Sequence, residues 1–149
     1  MSFKNIYVIL VKPQLGENIG ATARALKNFN LTKLRIVNPR SEWPNQKAIA
    51  TSVGAKNILK SAKIYNSLDK SVGDLDLIFA TSSRIRKVNK KIISIFDIDK
   101  KLKNKQKIGI IFGPEASGLS NDEISCADYV VKIPTNKQFN SINLSHSVI

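Results

Sequence analysis

Five short stretches of this chain are almost wholly apolar, and the segments between them mix apolar and polar residues at helical spacing. The apolar runs are Ile6–Val11, 34–37, 75–80, Ile108–Phe112 and 129–133, rich in Ile, Val, Leu and Phe. Little polar alternation within a run is the mark of a parallel strand covered on both faces. Helices are predicted over 19–29, 46–61, 66–73 and 121–127, with a last one starting at Leu144. Strand–helix alternation of this kind predicts an α/β domain with a mostly parallel sheet flanked by helices. With no internal repeat or linker, one domain is expected over 1–149. Its final helix is too short to bury much, so either the natural chain continues past Ile149 or this is a fragment. The runs 84–91 and 100–107 are basic and poor in large apolar residues, and read as surface segments able to touch phosphate.

Composition narrows the partners. The 149 residues suit one domain, and 42% hydrophobic content is enough for a core. Lys and Arg number 24 against 11 Asp and Glu, a formal charge of +13. Such a charge favours a polyanionic partner, because each neutralised phosphate releases counterions. A proteome generally rich in Lys, Ile and Asn would give the same excess, so charge alone decides nothing. The single Cys126 rules out an internal disulfide and a cysteine-based zinc site, and the single His146 argues against a histidine-rich metal site. No apolar stretch approaches membrane-spanning length and no signal-peptide pattern opens the chain. The expectation is a cytoplasmic protein without metal or membrane partner.

Three polar segments follow apolar runs and carry the candidate chemistry. In the first, residues 17–24, Asn18 is placed to cap a helix. Ile19, Ala23 and Leu26 make the apolar stripe, while Gly20, Arg24 and Lys27 lie on another. Arg24 could grip a phosphate in fork geometry; an ordinary amphipathic helix with solvated basic residues has the same spacing. In the second, residues 110–120, a strand enters a turn punctuated by Gly113, Pro114 and Gly118, and Ser120 with Glu123 predicts a capping box. Ligands of open α/β sheets sit beyond strand carboxyl ends, and glycines let them approach the backbone. Glu115 could accept backbone amides or face a positively charged ligand; a plain connecting turn is the alternative. In the third, residues 133–146, dense Asn, Ser and Thr would suit adenine or ribose edges, or simply a turn and cap. His146, inside the presumed helix, reads as a surface or packed residue.

Taken in order, the three segments are distinctive. Asn18-x-Gly20-x-x-x-Arg24, Phe112-Gly113-Pro114-Glu115-x-x-Gly118-Leu119, and Ile133-Pro134 leading to Asn140-Ser141-Ile142-Asn143-Leu144-Ser145 resemble the three motifs of the SpoU/TrmH branch of the SPOUT methyltransferases. The match covers nearly the whole chain. Ile6–Val11, Val37-Asn38-Pro39, residues 48–55 and Ala80-Thr81-Ser82-Ser83-Arg84 make it look most like the TrmJ group of tRNA 2′-O-methyltransferases.

The resemblance implies a C-terminal deep trefoil knot, a rarity among folds, and a homodimer. It implies S-adenosyl-L-methionine held bent by Thr81, Ser82, Ser83, Gly113, Pro114, Glu115, Gly118, Ile133, Asn140, Ser141, Ile142 and Leu144. The catalytic set carried over is Arg24, Ser141, Asn143, Asn18 and Glu115, with Arg24 reaching the cofactor of the other subunit. RNA contacts would come from Arg24, Lys27, Arg84, Arg86 and Lys87. The reaction implied is methylation of a ribose 2′-hydroxyl, foremost in tRNA at the nucleotide opening the anticodon loop. The alternatives are rRNA, the tRNA wobble nucleotide, or a non-catalytic RNA-binding protein of the same fold. An arginine pKa above ~12 makes a general-base role costly, so Arg24 is expected to hold phosphate and orient the hydroxyl. A dinucleotide-binding dehydrogenase is disfavoured, since no strand runs into a G-x-G-x-x-G turn.

Overall fold

Seven strands, all paired in parallel, form one sheet in a computed structural model that describes residues 3–83 and 89–149. They are β1 (Ile6–Val11), β2 (Lys33–Val37), β3 (Lys63–Tyr65), β4 (Leu77–Ser82), β5 (Lys91–Ser94), β6 (Ile108–Phe112) and β7 (Tyr129–Lys132), in the order β3-β2-β1-β6-β4-β7-β5. The helices are α1 (Gly16–Asn28), α2 (Gln46–Thr51), α3 (Lys56–Ser61), α4 (Leu68–Val72), α5 (Asn121–Ser125) and α6 (Leu144–Val148).

The apolar runs are near-continuous because both sheet faces are covered. Successive strand residues point to opposite sides. From β1, Val8 and Leu10 pack with Ile19, Ala23 and Leu26 of α1, together with Ala48, Ile58 and Leu144. Ile9 and Val11 pack on the other face with Leu68 and Val72 of α4 and Ile124 of α5. Burying each such aliphatic side chain is worth about 1.5–3 kcal/mol. A third cluster, Leu77, Phe79, Ile93, Ile108 and Val131, lies toward β5. The apolar stripe read from α1 is thus its buried face. Gly20 also points inward: a Cβ there would run into the Ala48 carbonyl and the Thr51 hydroxyl of α2, so the missing side chain lets two helices meet.

Several boundaries differ from the sequence reading. The segment predicted as one helix over 46–61 is two, broken around Gly54, whose φ is +74°. The run 75–80 becomes a strand only at Leu77, because the Leu75 amide closes a turn on the Val72 carbonyl. The edge strands β3 and β5 were not predicted; each is short, with exposed residues that hide the apolar pattern. β5 continues from the basic run 84–91, whose residues 84–88, including Arg84, Arg86 and Lys87, lie outside the described residues. α1 begins at Gly16, not Ile19, and its N-cap residue is Leu15, with no side-chain cap. The capping role expected of Asn18 is therefore wrong: Asn18 lies inside the first turn and its side chain has tertiary partners. The Ser120–Glu123 capping box is present. Among the described residues no helix is long and apolar enough to cross a membrane.

Candidate functional site

Because the strands are parallel, the segments leaving β4, β6 and β7 emerge at one rim. There they enclose an open cleft of about 840 Å³, solvent at its mouth included. Thr81, Ser82 and Ser83 line it from the end of β4, and residues 112–118 from the end of β6. Ile133, Asn140, Ser141, Ile142, Leu144 and Ser147 line it from the chain after β7. All twelve positions that the resemblance assigned to the cofactor border this cleft. Among the described lining residues Glu115 is the only charged one; the rest are hydroxyls, an amide, small residues and aliphatic or aromatic surface.

The turn after β6 holds its own shape. Gly118 has φ +67°, a conformation other residues seldom adopt, and its amide donates to the Pro114 carbonyl at 2.9 Å. Gly113 was expected to admit a ligand; a Cβ there would instead meet the loop's own backbone at Gly118 and Leu119. The Thr81 hydroxyl donates to the Ile111 carbonyl at 2.9 Å, tying the end of β4 to β6.

One chain of hydrogen bonds joins the three motif segments. Glu115 Oε1 accepts from Asn18 Nδ2 at 2.9 Å, and Oε2 accepts from the Gln14 amide at 2.9 Å. The carboxylate therefore sits at the N-terminal end of α1, where its charge is favoured by the helix dipole. Asn18 Oδ1 accepts from Asn143 Nδ2 at 2.9 Å. Asn143 Oδ1 accepts from the Ser145 amide at 3.0 Å and from the Ser145 hydroxyl at 2.7 Å, capping α6. Asn18 is 8% exposed. Its amide is satisfied at both ends, which a buried polar group requires.

Gln14 closes the loop from the other side. Its Oε1 accepts from the Ala116 amide at 2.8 Å, so Gln14 and Glu115 each receive a backbone N–H from the other's segment. Sequence reading missed Gln14, and nothing in its spacing signals the contact. It missed Phe112, Ala116, Ser117 and Ser147 as lining residues too, although each adjoins a motif position. Nearby, Lys12 Nζ donates to Glu123 Oε1 at 2.8 Å. Burial raises the Glu123 pKa, but this bond and those to Ser120 outweigh it and hold the carboxyl below its ordinary value.

Arg24 and Lys27 stand apart from the cleft of their own chain. Both are exposed on α1. Lys27 Nζ donates to the Gly54 carbonyl at 2.5 Å, whereas Arg24 has no ion pair among the described residues. Ser141 is exposed and lines the cleft. Asn143 does not line it; its side chain is spent on Asn18 and on the α6 cap. His146 is exposed. Among the described residues no group of His, Cys, Asp and Glu could hold a metal ion.

Over 147 residues the chain is 44% identical to the tRNA (cytidine-2′-O-)-methyltransferase TrmJ of Methanocaldococcus jannaschii, covering 96% of this chain and 64% of the relative. The crystal structure of TrmJ from Z. mobilis superposes with a TM-score of 0.90 at 38% identity, over 95% of this chain and 64% of that one. This chain therefore spans just under two thirds of either relative. AviRb from Streptomyces viridochromogenes, a SpoU methyltransferase solved in complex with AdoMet, shares the fold at 19% identity with a TM-score of 0.76, over 97% of this chain and 54% of its own. The SpoU rRNA Methylase family matches residues 5–149, and this chain belongs to that family.

Proposed function

We propose that this protein transfers a methyl group from S-adenosylmethionine to a ribose 2′-hydroxyl of tRNA. The carrying observation is one cleft, lined by the second and third motif segments and the end of β4 and tied through Glu115 to Asn18 of the first, whose only described charge is a carboxylate. Such a lining fits a ligand with a cationic sulfonium and a nucleoside: hydroxyls and amides for polar edges, aliphatic surface for the rings. The tRNA target is carried over from the TrmJ relatives, and S-adenosylmethionine from the AviRb complex and the family.

When bound, that cofactor supplies an electrophilic methyl, so no metal is required. The chain's task is alignment of the hydroxyl and handling of its proton, mostly a matter of positioning. Thr81, Ser82, Ser83, Gly113, Pro114, Gly118, Ile133, Asn140, Ser141, Ile142 and Leu144 would hold the cofactor. Glu115, Asn18 and Asn143 would keep the three segments in register. In a homodimer, Arg24 of one subunit would reach the partner's cleft, grip the adjacent phosphate and favour the developing alkoxide. The hydroxyl proton would then leave to water or phosphate. Lys27, Arg84, Arg86 and Lys87 would extend the RNA contact. The segment 133–149 would thread the connection between β4 and β6 to make the knot, in a protein working in the cytoplasm.

The test is methyl transfer from labelled cofactor to bulk tRNA by the full-length protein, with nucleoside mapping. A 2′-O-methylated nucleoside in tRNA is expected. Label in rRNA alone would overturn the tRNA target. Absence of cofactor binding in calorimetry would overturn the enzyme reading and leave a non-catalytic RNA-binding protein. Arg24→Ala should abolish turnover with cofactor binding intact, and near-normal turnover by Arg24→Lys would refute the fork-shaped phosphate grip.

A further inference from the structure

β5 is an edge of the sheet, and the chain leaving it carries the most exposed large apolar side chain described, Phe96 at 80%. Phe96 sits in a 3-10 turn over Ile95–Asp97, its amide donating to Ser94 Oγ at 3.3 Å. The turn is on the same rim as the cleft. Ser94 is in register with Lys132 of β7, and Lys132 with Ser82 of β4, which lines the cleft. Two strand spacings, about 10 Å, therefore separate the end of β5 from Ser82 along the rim.

The surroundings are cationic. Residues 89–101 hold four lysines and two aspartates, while the lysines from 103 to 107 lead into β6 at the opposite rim. Asp97 is paired with Lys100 at 2.5 Å, while Lys91 and Lys132 are exposed. A protein-docking core is depleted of lysine. One bare aromatic face among ammonium groups instead matches the combination that binds single-stranded nucleic acid, a stacking surface with a basic track for the backbone.

We propose that Phe96 is a stacking platform for an RNA base flanking the nucleotide held in the cleft, with Lys91 and Lys132 meeting neighbouring phosphates. This rests on the reading of the cleft as an RNA-modifying site. Such stacking makes Phe96 a determinant of which RNA is bound and leaves cofactor binding untouched.

The experiment compares full-length wild type, Phe96→Ala and Phe96→Trp, with bulk unmodified tRNA as the probe. Phe96→Ala should weaken tRNA binding and raise KM for tRNA by about 10-fold, with kcat and calorimetric cofactor affinity unchanged. Phe96→Trp should restore affinity, and its emission, taken against the wild type with its single Trp43, should be quenched by tRNA. Wild-type tRNA affinity in Phe96→Ala, or a Trp signal that ignores tRNA, overturns the proposal. So does a change in sedimentation on Phe96→Ala, which would make this edge a contact between copies of the chain. A wild type that binds tRNA, quenches in the Trp variant and transfers no methyl would sink the enzymatic reading and leave the platform standing.

Discussion

Two buried polar side chains, Arg35 and Asn18, centre clusters that do opposite things with similar chemistry. On the sheet face away from α1, Arg35 of β2 is 3% exposed. Its guanidinium binds the Ser71 carbonyl and both carboxylate oxygens of Asp74, and lies 4.2 Å from the Tyr7 ring centroid and 5.7 Å from that of Tyr65. That cluster does not line the cleft described above. It caps the carboxyl end of α4 and replaces an apolar plug. The Glu115–Asn18–Asn143 chain satisfies the buried Asn18 amide at both ends, and it ties α1 to the two segments, after β6 and after β7, that line the cleft. Burial of charge is thus no sign of a site by itself; what the charge holds in place decides.

That contrast can be broken by substitution. Asn18→Ala leaves Glu115 Oε1 and Asn143 Nδ2 short of a partner and should lower methyl transfer by about 100-fold, the scale of losing one well-placed polar group. In urea unfolding the same variant should lose only about 1–2 kcal/mol. Arg35→Ala should show the reverse, losing about 2–3 kcal/mol through the cavity and lost stem packing, with kcat unchanged for the folded fraction. Arg35→Met should restore most of that stability, since apolar replacement of a buried ion is often neutral. A large rate loss in Arg35→Met would erase the contrast.

Asn143→Asp keeps the acceptor that caps α6 and removes the donor to Asn18. Cofactor affinity should fall by about fivefold, the worth of one hydrogen bond, as read by calorimetry. Acid then separates the clusters further. The Arg35 hydrogen bond holds the Asp74 carboxyl below its ordinary value, so its folded pKa is below its unfolded one. The resulting stability is complete above the usual carboxylate range and is lost as pH falls through the folded value. Asp74→Asn should flatten that acid limb of the stability curve. The smallest effect concerns Cys126, whose thiol burial and the Asp69 hydrogen bond push up to about 11. At pH 8 about one thiol in a thousand is then ionised, and alkylation should be far slower than for free cysteine.

The central strands were legible because burial on both faces leaves an unbroken apolar signature. β3 and β5 were not: Lys63 and Lys91 open them, and an edge strand needs only one covered face. The cleft was legible only through the order of three motifs, since each motif alone also describes a turn with a cap. Asn18 shows why. Beside a predicted helix start an Asn reads as a cap, and only Glu115, 97 residues away, turns it inward. Gln14 was silent for the same reason, its partner Ala116 lying 102 positions off.

Those separations bear on the order of events as the protein is made. Asn143 meets Asn18 across 125 residues, and contacts so distant in sequence are slow to close. A nascent polypeptide can assemble β1, α1 and β2 long before α6 has been synthesised. Throughout that interval the interior amide of Asn18 lacks its final partner and the ligand recess lacks a wall. The recess is thus completed late and at once, when α6 docks against α1.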